Sequence, residues 1–236
     1  MRIKLKLAWI AACLLAGTAL ASAASIALKG SCSYFGEALP IKTEMLSSND
    51  NNVSGLIQRI VDASGLSRNF EIRAALVPNA AAVTLGATRY ILYNPTFLND
   101  ITTTTQDRWA AAGILAHEIG HHLNGHTLQA GGSRPPLELE ADYFSGFILE
   151  KLGAQLADAT AVIEKYAPEA SSATHPARRE RVASITSGWR AACKADPDCP
   201  KTGISLDDVP DNDAPAVTSK QPAAAGGNKA LMRESQ

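Results

Sequence analysis

The chain has 236 residues, of which 46% are hydrophobic, enough for one sizeable core and no reason to expect a second. Its formal charge of −1 excludes the basic footprint of a protein that grips nucleic acid or an anionic membrane. Four cysteines in a chain of this length do not make a disulfide scaffold, and no CxxC spacing offers a cysteine zinc site.

Taken in order, Met1 to Lys6 is positively charged at Arg2, Lys4 and Lys6, residues 7–20 are apolar, and Ala21-Ser22-Ala23 is a small-residue cleavage site. This pattern predicts a signal peptide over 1–23 and a periplasmic or secreted mature chain with no integral membrane segment. Its removal takes away three cations and Cys13, leaving a charge of −4 and three cysteines. In an oxidising compartment at least one disulfide is expected among Cys32, Cys193 and Cys199. Both Cys193–Cys199, closing a short loop, and Cys32–Cys193, tying the N-terminus to the end of the core, remain open.

Residues 24–50 read as an irregular lead-in. Val53, Leu56, Ile57, Ile60 and Val61 recur at helical spacing and stop at Ser64-Gly65. Strands follow at 70–77, weakly at 81–85, and more strongly at Arg89, Tyr90, Ile91, Leu92 and Tyr93. A strand beside a catalytic cleft can pair its backbone with an extended peptide, so 89–93 is a candidate substrate strand. The other reading is a core strand with aromatics on opposite faces.

Thr102 to Thr105 are candidate N-caps for the next helix, with Asp107 in its first turn. That helix carries Trp109, Ile114, Leu115 and then His117-Glu118-Ile119-Gly120-His121, an HExxH sequence, before Asn124-Gly125 ends it. Four residues advance a helix by about 400°, so His117 and His121 project from one face, one turn apart. Two imidazoles so placed can grip a zinc ion and leave room for a third ligand and a water, from which Glu118 can take a proton. His122 and His126 would lie about 140° and 180° from His117 on a continuing helix, too far for the same metal. They read as surface or supporting residues. Asn124 and Thr127 stand where a metzincin has its Gly and third His, which excludes that relative.

Pro135-Pro136 opens a helix running to about 152. On it Glu138 and Asp142 share a face with the small residues Ala141 and Ser145, whereas Glu140 falls on the side of Phe144 and Phe147. Glu138 is therefore the expected third ligand, and Asp142 the acceptor for an N–H of a ligating His. A helix over 158–165, a loop holding His175-Pro176 and a helix over 177–189 complete the metal-site domain, 51–200. Residues 201–236, rich in Pro, Ala, Gly and Asp without periodicity, read as a disordered tail.

His117-Glu118-Ile119-Gly120-His121, then Glu138-Leu139-Glu140-Ala141-Asp142, then Thr174-His175-Pro176 with Arg181 downstream, resembles the gluzincin metallopeptidases of the HtpX and CAAX prenyl endopeptidase family over about residues 50 to 190. The resemblance implies one Zn²⁺ per chain on His117, His121 and Glu138, with Glu118 as catalytic base and Asp142 behind a ligand. It makes His175 a candidate fourth ligand or switch. Arg181 is a candidate transition-state stabiliser. The expected fold is an α+β, zincin-like minimal gluzincin, a small sheet packed on the HExxH helix with a second, Glu-bearing helix completing the site.

The expected function is zinc-dependent hydrolysis of peptide bonds in unfolded or damaged extracytoplasmic polypeptides, with no nucleic-acid partner. The alternative is a zinc-stabilised, latched or weakly active chaperone-like binding protein. Many members of that family are integral membrane proteins, so their membrane-protein substrates are not carried over to this chain.

Overall fold

The computed structural model of the chain describes residues 29–36, 39, 44–47, 50–129, 132–197 and 199. The predicted signal peptide and tail lie outside the described residues. The fold is α+β, with strands β1 (Lys29–Ser33), β2 (Glu71–Ala74), β3 (Ala80–Leu85) and β4 (Thr88–Tyr93). The helices are α1 (Asn51–Ser64), α2 (Pro95–Thr105), α3 (Ala110–Leu123), α4 (Pro135–Lys151), α5 (Leu156–Tyr166) and α6 (Arg178–Ala195).

Local chemistry explains most helix ends. The Asp50 carboxylate accepts from the amides of Asn52 and Val53 to start α1, and Gly65 ends it at φ 68°, in the left-handed region that glycine enters without Cβ strain. Asn94 caps α2 in the same way, with Pro95 at the first helical position. Two expectations change here. Asn94-Pro95 begins a helix, and Thr102, Thr103 and Thr105 lie in its last turns, their hydroxyls bonded to carbonyls four residues back. Asp107 therefore sits in the link ahead of α3, where its Oδ1 accepts from the Trp109 amide.

The sheet order is β1-β3-β4-β2. β3 runs antiparallel to both β1 and β4, whereas β2 and β4 are parallel. Alternation divides the side chains: Ile72, Ala74, Ala80, Ala82, Ile91 and Tyr93 join the core under the helices, while Ala81, Val83 and Leu92 form a smaller cluster with Met45 on the other face. The lead-in is thus not wholly irregular. It supplies β1, and 44–46 hydrogen-bonds alongside the end of β2.

The strand at 89–93 is a correction. β4 is flanked by β3 and β2, so both its hydrogen-bonding edges are occupied and no peptide can pair with it. Tyr90 and Tyr93 face opposite clusters, as in a core strand.

Small residues bring the helices of the site together. Gly120 faces Phe144 and the Ala141 backbone, and the Ser145 hydroxyl bonds the Gly113 carbonyl at 2.9 Å, so α3 and α4 pack at close range. Between α4 and α6 the approach is closer still, because a Cβ on Gly146 would overlap the Ile185 carbonyl and one on Gly188 the Tyr143 carbonyl. A disulfide joins Cys193 to Cys199, which selects the short-loop pairing. Among the described residues no helix is long and apolar enough to cross a membrane.

Candidate metal centre

The close α3–α4 contact sets two imidazoles against a carboxylate. His117 Nε2 and His121 Nε2 lie 3.1 Å apart, and Glu138 presents Oε2 at 3.1 Å from the first and Oε1 at 3.5 Å from the second. All three side chains are fully buried, and together they form a group able to hold a metal ion.

The surrounding hydrogen bonds decide which lone pairs point inward. His117 Nδ1 donates to Asp142 Oδ1 at 2.8 Å; with the ring neutral, its Nε2 is bare. Asp142 is itself gripped by Arg181, whose Nε and Nη2 each donate to it at 2.8 Å. Burial works against the Asp142 charge, but Arg181 and then His117 hold its carboxyl below the usual range.

A second chain fixes His121. The Glu140 carboxylate only accepts, so His126 Nε2, 2.9 Å away, carries the proton and His126 Nδ1 is bare. His121 Nδ1, 2.9 Å from it, must then donate, which leaves His121 Nε2 without a proton. Burial keeps both rings neutral, lowering His126 and pushing His121 down to about 4.

This donor set fits a cation. Two imidazole Nε2 atoms and a carboxylate converge, and Glu138 Oε1 is a buried oxygen with no hydrogen-bond donor among the described residues. Burial raises the cost of charge on Glu138, yet the His117, His121 and His175 rings packed against it keep it well below the usual carboxylate value. Likewise burial opposes a proton on His117, but Asp142 and then Glu138 outweigh it and lift that ring to about 9. The two carboxylates that favour a proton there would equally favour a metal ion between the rings.

Glu118 lies on the same helix, fully buried. Its Oε2 accepts from the Ala82 amide of β3 at 2.8 Å, and its Oε1 has no partner among the described residues. Burial raises its pKa to about 8, with His117 acting in the opposite direction.

His175 reaches the cluster from the loop before α6, its Nε2 3.3 Å from Glu138 Oε2. That nitrogen also donates to the Ser33 carbonyl at 2.9 Å, which requires its proton and withholds its lone pair from a metal in this arrangement. Arg181 is completely enclosed; besides Asp142 it donates through Nη1 to the Tyr34 carbonyl at 2.9 Å. Here it positions Asp142 instead of facing the bare ligand atoms, a correction to the transition-state role expected for it.

His122 and His126 are both buried, so a surface placement fails for each. His122 stacks on Phe70 and bonds the Tyr90 carbonyl and the Thr127 hydroxyl, fastening α3 to the sheet. His126 serves the centre because the helix stops at Leu123 and Gly125 turns at φ 74°, so angles extrapolated along a continuous helix do not apply to it. Tyr34, whose ring stands edge-on to His117 at 5.0 Å between centroids, is a neighbour that no motif signalled. Neither a protein family, nor a curated protein, nor a solved structure matches the chain.

Proposed function

We propose that this chain is a zinc-dependent metallopeptidase built on a zincin-like, minimal gluzincin domain, hydrolysing peptide bonds of unfolded or damaged polypeptides outside the cytoplasm. The observation that carries this reading is the convergence of the His117 and His121 Nε2 atoms and the Glu138 carboxylate beside a carboxylate, Glu118, that the ligand set does not use. Two nitrogens and one oxygen suit zinc, and three protein ligands are the number a catalytic centre uses, where a closed structural one has four. His117, His121 and Glu138 would hold the ion, which when bound would supply Lewis acidity toward a scissile carbonyl and toward a water.

The chain's own residues do the rest. Asp142 and His126 keep the ligand rings in the required tautomers, and Arg181 keeps Asp142 ionised and in place. Glu118, with an affinity for protons raised by burial, takes one from the attacking water and later passes it to the leaving amine. The extracytoplasmic setting rests on the N-terminal signal pattern.

A second reading, a zinc-stabilised, latched or weakly active chaperone-like binding protein, draws on the enclosure of His117, Glu118, His121 and Glu138, none of which reaches solvent. Zinc-loaded chain and its Glu118→Gln variant, incubated with casein, separate the two. Cleavage by the first alone supports the peptidase. Zinc binding by both without cleavage by either supports the latched or binding-protein reading.

A further inference from the structure

A peptidase must admit an extended chain beside its base and metal ligands, yet here every one of those side chains is buried. One short stretch, residues 33–36, packs directly over the centre. The Ser33 carbonyl accepts from His175, and the Tyr34 carbonyl from Arg181. The Tyr34 ring is buried against His117 and lies 4.9 Å beneath the Arg181 guanidinium. Gly36, at φ 83°, comes so close to His175 that a Cβ would lie 2.8 Å from its Nδ1.

The stretch arrives there as a strand. β1 runs antiparallel on β3, with Cys32 opposite Ala82 and Ser33 opposite Ala81, and Ala82 is the residue whose amide holds Glu118. Backbone pairing on β3 therefore delivers a polypeptide directly to the base and the ligands. Among the described residues β1 is an edge strand: it ends the sheet order, is paired in the sheet with β3 alone, and its register shifts between Lys29 and Cys32.

We infer that residues 29–36 are an autoinhibitory segment that occupies the place of the polypeptide substrate on β3, and that the centre opens when this strand leaves. The inference rests on the peptidase reading above and adds its regulation. It also names what the groove accepts: an extended chain antiparallel to β3, with an aromatic side chain at the position of Tyr34. An incoming chain makes the same kind of backbone hydrogen bonds that β1 gives up, so exchange costs little in pairing, and folded proteins without a free extended segment are excluded.

The test uses the whole zinc-loaded chain in three forms: parent, Tyr34→Ala, and a cross-strand lock made by Ser33→Cys with Ala81→Cys in a Cys32→Ser background. Two readouts are taken, hydrolysis of casein and the rate at which a strong chelator strips the zinc. If the open form is about a tenth of the population or less, releasing the segment raises both rates by about tenfold or more. Tyr34→Ala is expected to raise both, and the oxidised lock to suppress both until reductant restores them, with reduced parent as the control for Cys193–Cys199. Should Tyr34→Ala not fold, the lock alone decides.

Equal rates for locked and unlocked protein overturn the inference, and casein cleavage in both would leave the peptidase standing. Zinc stripping that responds to the lock while no form cleaves casein supports the closing segment and removes the peptidase.

Discussion

The Nδ1 atoms of His121 and His126 lie 2.9 Å apart, and His126 passes that contact on to Glu140. One ligand of the candidate centre is thereby oriented by a residue on the turn after its helix, and through it by the neighbouring helix. The other ligand, His117, is oriented by Asp142 on that same helix.

Removing the His126 ring should free His121 to adopt the other tautomer. His126→Ala is expected to lower zinc affinity by about 10–100-fold, the usual effect of deleting such a partner, with the fold intact. Competition against a chromophoric chelator measures it. Glu140→Gln should act in the same direction and more weakly, because its side chain is 46% exposed and water can replace it. Unchanged affinity in His126→Ala would remove the orienting role.

Arg181 and Asp142 form a buried pair, each side chain only 1% exposed. Arg181→Leu leaves the carboxylate buried with only His117 to balance it, and is expected to destabilise the fold by about 3–5 kcal/mol. Adding Asp142→Asn removes the stranded charge and should recover part of the loss. Thermal unfolding of the two variants checks this; an Arg181→Leu protein as stable as the parent contradicts the arrangement.

Glu150, at the C-terminal end of α4, is buried with Oε2 unpartnered among the described residues, and burial raises its pKa despite the opposing Lys151, with Asp196 adding to the rise. A carboxyl whose folded pKa lies above its unfolded value binds protons more tightly when folded, so stability falls as pH rises through the unfolded carboxylate range up to that folded pKa. Glu150→Gln should therefore be more stable than the parent at about pH 7, and the gain should shrink as pH falls below the ordinary carboxylate pKa of roughly 4. Melting temperatures across that range show it, and a gain that does not change with pH would point away from the charge.

Gly188→Ala places a methyl where the Tyr143 carbonyl stands. The two helices have to separate, which costs more than the roughly 1–3 kcal/mol of ordinary overpacking because the obstacle is backbone. Since α4 carries Glu138 and α6 carries Arg181, the same variant should also weaken zinc binding, measured by the chelator competition.

The sequence alone determined what depends on neighbours along the chain. HExxH spacing, the shared face of Glu138 and Asp142, the cap at Ser64-Gly65 and the helix begun by Pro135 follow from 3.6-residue periodicity and backbone capping, which act within a few residues. Asn94-Pro95 carries the same kind of local signal, an N-cap followed by a first-position proline, and begins α2.

Only the tertiary structure decided that β4 lies inside the sheet and β1 at its end, that the chain breaks at Gly125 so that His126 swings beneath His121, and that Arg181 closes on Asp142. Strand order depends on pairing between segments far apart in sequence, and a strand looks the same from its own residues whether one edge or both are taken. The contacts that seal the centre also run to the backbone carbonyls of Ser33 and Tyr34. Every residue has a carbonyl, so its use leaves no mark in the sequence.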